Sequence, residues 1–166
     1  MYFNKRLVKE AGYNPDDLYK WQEDGSWKWS KFKEMATKIS KLSSGSTTIW
    51  GSVNNAYQLY NNLCVSNGSN WITKDHFNAD DEKCMQAMDF MMELQKAKVI
   101  PDTTDFNDYK LFLEGKVGFI PEYIERLQHK EGYGGMQDDF GMVMFPKSDS
   151  ESSYRSINDW YQGWAI

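Results

Sequence analysis

Three short stretches of the sequence gather side chains that could bind, or act on, a polyhydroxylated ligand. Asn54, Asn55 and Tyr57 follow the run Gly51-Ser52-Val53. Glu122 and Tyr123 follow Phe119-Ile120. Asn158, Asp159, Trp160 and Tyr161 precede Gly163-Trp164-Ala165-Ile166. A sugar offers a ring face of C–H bonds and a rim of hydroxyls. Tyr and Trp rings stack on the first, and Asn, Asp and Glu side chains hydrogen-bond the second. The same residues hold a second chemistry. A glycosidase needs two carboxyl groups flanking the scissile bond, and Glu122 and Asp159 are the pair that could supply them. Binding of a glycan and cleavage of one both stay open on these residues, and a purely structural or partner-binding domain is the third reading.

Other chemistries find no support in the sequence. It contains no glycine-rich phosphate loop and no GxSxG, HExxH or CxxC motif. Cys64 and Cys84 lack metal-ligand spacing and read as two small buried thiols, with a structural pair as the alternative. His76 and His129 stand in polar surroundings and read as surface residues. No cofactor or metal is therefore expected. A net charge of −5 with scattered lysines argues against a nucleic-acid partner, whose phosphates favour a concentrated basic face. No apolar run is long enough to span a membrane as a helix, and charge interrupts the N-terminus where a signal peptide needs its apolar stretch. The chain thus reads as mature, cytoplasmic or cut from something larger.

The elements that must position these residues are short and alternate between strand and helix. Tyr2 and Phe3 suit a strand, followed by a helix over 5–11 that Gly12 stops. A turn or short helix spans 14–21. Phe32, Met35, Ala36 and Ile39 form one helical stripe within 29–41, with Lys31, Lys33, Lys38 and Lys41 largely off it. Ile49 to Val53 suits a buried strand. A helix over 56–66 puts Tyr57, Tyr60, Leu63 and Cys64 on one side. A longer helix to about Lys98, opened by Asp80 and Asp81, points Cys84, Met88, Met91, Met92 and Gln95 inward. Asp105 or Asn107 caps a short helix to Gly115. Strands follow at 117–120 and 140–145, with a helix over 122–130 and a turn at 132–135 between them, and 154–157 and 162–166 look extended. This is an α/β chain in which helices cover a short, partly mixed sheet.

Composition agrees. Leu, Ile and Val total 23 of the 166 residues, fewer than the 26 Phe, Tyr and Trp, and there are 9 Met. Low net charge and many aromatics exclude disorder, so rings and thioethers must supply much of the core. Phe32, Met35, Met88 and Met91 are the expected core members. Tyr57, Tyr123 and Trp160 are the expected surface rings.

Five stretches carry a family resemblance, in order along essentially the whole chain. Tyr2-Phe3-Asn4-Lys5 with Lys9-Glu10-Ala11-Gly12 resembles the "YYNKDLFKEAG" stretch of family 1 extracellular solute-binding proteins, the maltose-binding-protein-like receptors of bacterial ABC importers. Trp27-Lys28-Trp29-Ser30-Lys31-Phe32 is similar to the family's "WTWDKF" helix start. Phe112-Leu113-Glu114-Gly115-Lys116-Val117-Gly118-Phe119 resembles its "F..GKvAM" element. Phe140-Gly141-Met142-Val143-Met144-Phe145-Pro146 is similar to its "ygv.pfP" strand, and Gly163-Trp164-Ala165-Ile166 to its "gwaI" strand.

The resemblance implies the C-terminal lobe of a two-lobed receptor, in a type II periplasmic-binding-protein-like fold. Residues 1–166 would be a single lobe between two hinge crossings, with the partner lobe absent, and Tyr2 and Ile166 would lie close together. It implies a non-catalytic protein that captures a small-molecule solute, a mono- or oligosaccharide, in an interlobe cleft and delivers it to ABC transporter permease subunits. It further implies a monomeric, extracytoplasmic receptor, with its signal sequence and lipid anchor outside this stretch. The ligand-binding positions carried over are Asn55, Tyr57, Glu122, Tyr123, Asp159 and Trp160. Two departures stand out. Pro121 and Glu122 replace small polar residues after the "GKvAM" strand, and Lys28 and Ser30 replace Thr and Asp at the helix start, which weakens capping there.

Overall fold

β1 (Tyr2–Asn4) runs straight into α1 (Lys5–Glu10), because Asn4 ends the strand and caps the helix: its Oδ1 accepts from Leu7 N at 3.0 Å. The computed structural model describes residues 1–73, 75–102, 108–123 and 135–157. The further elements are α2 (Asp17–Glu23), α3 (Trp29–Ser40), β2 (Trp50–Ser52), α4 (Ala56–Ser66), α5 (Glu82–Lys96), α6 (Asp108–Leu113), β3 (Val117–Ile120) and β4 (Phe140–Met142).

The described strands form one sheet in the order β2-β3-β1-β4. β2 and β3 are parallel, with Trp50 opposite Val117 and Ser52 opposite Phe119. Parallel neighbours need a crossover, and α4, α5 and α6 lie between them in the chain. β1 is antiparallel to both β3 and β4. β2, β3 and β4 therefore all end at the edge where β1 begins. The expected mixed sheet covered by helices is what forms.

The core is rich in rings, as the composition requires. Trp27 stacks on Trp21 at 6.4 Å and meets Phe32 and Phe119 at 6.2 Å and 5.8 Å. Trp29 stacks on Phe90 at 4.7 Å, joining α3 to α5. Tyr2 and Phe3 enter different clusters, as alternation along a strand demands. α3 lies directly on β2 because Gly51 has no side chain: a methyl there would overlap the Ala36 carbonyl oxygen.

Two helix faces differ from expectation. On α5 the buried residues are Cys84, Ala87, Phe90 and Leu94, while Met88 and Met92 are 39% and 45% exposed, and Met91 is partly buried. The rotation is set by neighbours: Phe90 must reach Trp29, and Asn67 Nδ2 on the α4 side donates to Lys83 O at 2.9 Å. On α4 the buried apolar set is Leu59, Leu63 and Cys64, with Tyr57 exposed and Tyr60 half-buried. Weak capping at α3 is real but relieved from a distance. Lys28 makes no side-chain cap, and Asp149 instead accepts from Ser30 N at 3.1 Å and from Ser30 Oγ.

Several boundaries also shift. The strand expected over 140–145 is a strand only over Phe140–Met142, with Val143 N still donating to Met1 O at 3.0 Å, and 154–157 carry no strand. Glu122 and Tyr123 are irregular rather than helical; the rest of that expected helix, the Asp105 and Asn107 caps and His129 lie outside the described residues. So does Ile166, and with it the expectation that Tyr2 and Ile166 are close.

Candidate functional site

At the edge where β2, β3 and β4 end, the structure opens a cleft of ≈ 340 Å³. One wall is α4, which presents Tyr57, Gln58, Asn61 and Asn62. These positions share a face because i, i+1, i+4 and i+5 fall together on a helix. The floor and opposite wall come from the strand exits: Pro121, Glu122 and Tyr123 after β3, and Met142 to Phe145 at and after β4. Met1, Gln22, Ser156 and Ile157 complete the lining.

Hydrogen bonds hold these loops in place. Tyr2, fully buried beneath the cleft, donates its hydroxyl to Tyr123 O at 3.2 Å. Burial pushes the Tyr2 phenol up to about 12, with the nearby Glu122 charge adding to the effect, so it stays a neutral donor. Glu122 Oε2 accepts from Tyr123 N at 2.8 Å, which orients the carboxylate along its own loop. Gln22 Oε1 accepts from Met144 N at 2.6 Å and fixes the chain leaving β4. On α4, Asn62 Nδ2 donates to Gln58 O at 2.8 Å, while Gln58 Oε1 is closed off from solvent without a hydrogen-bond partner.

The chemistry of the lining is therefore rings and neutral amides around one carboxylate. Among the described lining residues, Glu122 is the one charged side chain. Tyr57 and Tyr123 are 50% and 40% exposed, so both rings offer surface to a ligand. Among the described residues, no group of three or more His, Cys, Asp or Glu could hold a metal ion.

The structure brings Tyr57, Glu122 and Tyr123 together in one cleft. Asn55 has a different place. It caps α4, accepting from Gln58 N at 3.3 Å, and so sets the start of the helix that carries Tyr57 without joining the lining. Asn54 is buried and donates to Pro101 O at 2.8 Å. Asp159 and Trp160 lie outside the described residues, so the Glu122/Asp159 carboxylate pair does too. Sequence reasoning missed Gln22, Gln58, Asn61 and Asn62. The amides of α4 were legible as a polar stripe beside Tyr57. Nothing local marks Gln22, which reaches the cleft only through the packing of α2.

No family model matches the chain, and no curated protein matches it. Solved structures do. UgpB from Mycobacterium tuberculosis, in complex with glycerophosphocholine, matches with a TM-score of 0.68 at 16% identity, over 90% of this chain and 35% of that one. A sugar transporter from Arthrobacter chlorophenolicus with bound laminaribiose matches with a TM-score of 0.63 at 18% identity, over 89% and 36%. A family 1 extracellular solute-binding protein from Bifidobacterium longum subsp. infantis matches with a TM-score of 0.61 at 22% identity, over 89% and 38%. The fold is that of one lobe of a solute-binding protein. The chain spans a little over a third of the length of these neighbours. In this chain the cleft lies along the strand ends, the edge at which open α/β sheets take ligands.

Proposed function

We propose that this chain is the solute-capturing lobe of a bacterial ABC-importer receptor, that its solute is a carbohydrate, and that it is not catalytic. The observation that carries the reading is the cleft itself: two exposed tyrosine rings, a row of amides and one carboxylate on a solute-binding-protein fold. Rings take the C–H face of a pyranose and amides its hydroxyls. The described lining holds no Lys, Arg or His side chain to pair with a phosphate, which favours a neutral polyol over an anionic solute.

In this reading Tyr57, Glu122 and Tyr123 contact the ligand, Asn55 holds the helix that carries Tyr57, and Asp159 and Trp160 add contacts from the final segment. Residues 1–166 form a single lobe. A partner lobe closes over the sugar, and closure creates the surface that permease subunits recognise. The receptor is extracytoplasmic, monomeric and held at the membrane by a lipid anchor outside this stretch. One lobe supplies part of the contacts, so its affinity is on the order of millimolar, about −4 kcal/mol. Calorimetry of the chain with laminaribiose and maltose tests this. Binding that weakens about tenfold in Tyr123→Ala, with no product on chromatography, supports it. Absence of binding, or turnover that disappears in Glu122→Gln, overturns it.

A further inference from the structure

Beyond the α4 rim of the cleft the molecule exposes a second group of rings. Ile72 and Phe77 pair across a narrow antiparallel turn, closed by Thr73 N and Oγ1 donating to His76 O, each at 3.0 Å. Asn78 N donates to Trp71 O at 2.7 Å and Asn78 Nδ2 to Asn70 O at 3.0 Å, which tie the end of the turn back to its start. Trp71 stands at the centre, edge-on to Tyr60 at 5.6 Å, to Phe77 at 5.5 Å and to Tyr57 at 6.3 Å. Phe77 is 58% exposed and Ile72 56%.

An exposed ring cluster of this kind marks a contact surface, because leaving such side chains in water forgoes their burial energy. Its occupant follows from continuity. Tyr57 belongs to both places: it lines the cleft and packs on Trp71. The cleft, at ≈ 340 Å³, is near the lower end of the range of about 300–1,000 Å³ usual for small-ligand sites. A glycan longer than the cleft can hold must leave over its rim. On the α4 side that rim is Tyr57, followed by Trp71 and Phe77.

We propose that Tyr57, Trp71 and Phe77 form an outer subsite that stacks the further sugar units of an oligosaccharide whose end lies in the cleft. The inference rests on the carbohydrate reading of the cleft and deepens it, making the preferred substrate an oligosaccharide. The ring, rather than apolar area alone, carries the contact. Phe77 is exposed, so replacing it leaves the fold intact.

The experiment is calorimetric titration of the chain with laminaribiose and laminaritetraose, and with maltose and maltotetraose. The expected result is a tetrasaccharide bound about tenfold more tightly than its disaccharide in at least one series, the scale of two ring contacts. Phe77→Leu abolishes most of that gain, Phe77→Tyr keeps it, and the disaccharide affinity is the same in all three proteins. Equal affinity for both lengths, or a gain that survives Phe77→Leu, overturns the subsite while leaving the cleft reading standing. Self-association of the chain that Phe77→Leu removes, with no length dependence, assigns the rings to a protein contact and also overturns it. Failure of every sugar to bind overturns the cleft reading as well.

Discussion

Replacing Gly51 by alanine adds one methyl group, and the structure says where it would go. The new Cβ would overlap the Ala36 carbonyl oxygen and lie 2.7 Å from its carbon and 2.8 Å from Ala36 Cβ. Carbon atoms in ordinary contact stand about 3.5–4.0 Å apart, so α3 and β2 must separate by about 1 Å. That separation strains a link between them. Ser40 Oγ accepts from Gly51 N at 2.8 Å and donates to Ala36 O at 3.2 Å, satisfying the outward N–H of an edge strand. The buried methyl contributes about 0.8 kcal/mol, whereas overpacking typically costs about 1–3 kcal/mol. Here the obstacle is helix backbone, not a flexible side-chain tip, so the upper end applies and the net loss is about 2–3 kcal/mol. In a domain of this size each kcal/mol moves Tm by about 2–4 °C, giving a fall of about 4–12 °C. Urea unfolding followed by tryptophan fluorescence, with a thermal melt, measures it. Gly12→Ala is the comparison, because its Cβ meets nothing within 4 Å and only its φ of +89° resists the change, at about 1 kcal/mol. A Gly51→Ala protein as stable as wild type, or more stable than Gly12→Ala, would refute the close approach of α3 to the sheet.

Three further outcomes follow from the structure. Asp138 accepts from Arg6 Nε at 2.9 Å and from Asn4 Nδ2 at 2.8 Å, and the Arg6 bond above all holds its carboxyl below the usual range. A depressed carboxylate contributes stability that is complete above its unfolded pKa of about 3.9 and is lost as pH falls through the lower folded value. Asp138→Asn should therefore cost about 1–2 kcal/mol at neutral pH, after allowance for partial exposure, and the gap to wild type should close in acid; a gap in urea midpoint that ignores pH contradicts this. Asp149→Ala removes the distant cap of α3 and should lower the unfolding free energy by about 1 kcal/mol, with an unchanged urea midpoint as the failing result. Burial pushes the Cys64 thiol up to about 12, and Cys84 is equally enclosed. Both should resist a disulfide reagent in the folded chain at neutral pH and react once urea unfolds it, and fast labelling of the native protein would contradict that.

Much of the fold was legible because short-range signals act locally. Gly12 stops α1, Asp81 caps α5 by accepting from Lys83 N and Cys84 N, and the stripe Phe32, Met35, Ala36 and Ile39 is buried as its spacing demands. What failed was the rotation of α5. Its methionines are apolar on more than one side, so periodicity could not choose a face, and the choice fell to Phe90 meeting Trp29 from another helix. The cap at Ser30 was illegible for the same reason, since Asp149 lies more than a hundred positions away. In the candidate site, Tyr57, Glu122 and Tyr123 could be read because they follow strands that end at one edge. Asn55 could not be separated from them, because a helix cap and a ligand contact use the same side chain.

The most direct test of the carbohydrate cleft is a two-dimensional NMR titration of the isotope-labelled chain with laminaribiose and with maltose. If the strand-end cleft captures sugar, backbone and side-chain amide signals of Tyr57, Gln58, Asn61, Asn62 and Tyr123 shift together and saturate on one curve, while those of α1 and of the exposed face of α5 stay still. No saturable shift with either sugar, or shifts centred away from these residues, would contradict it.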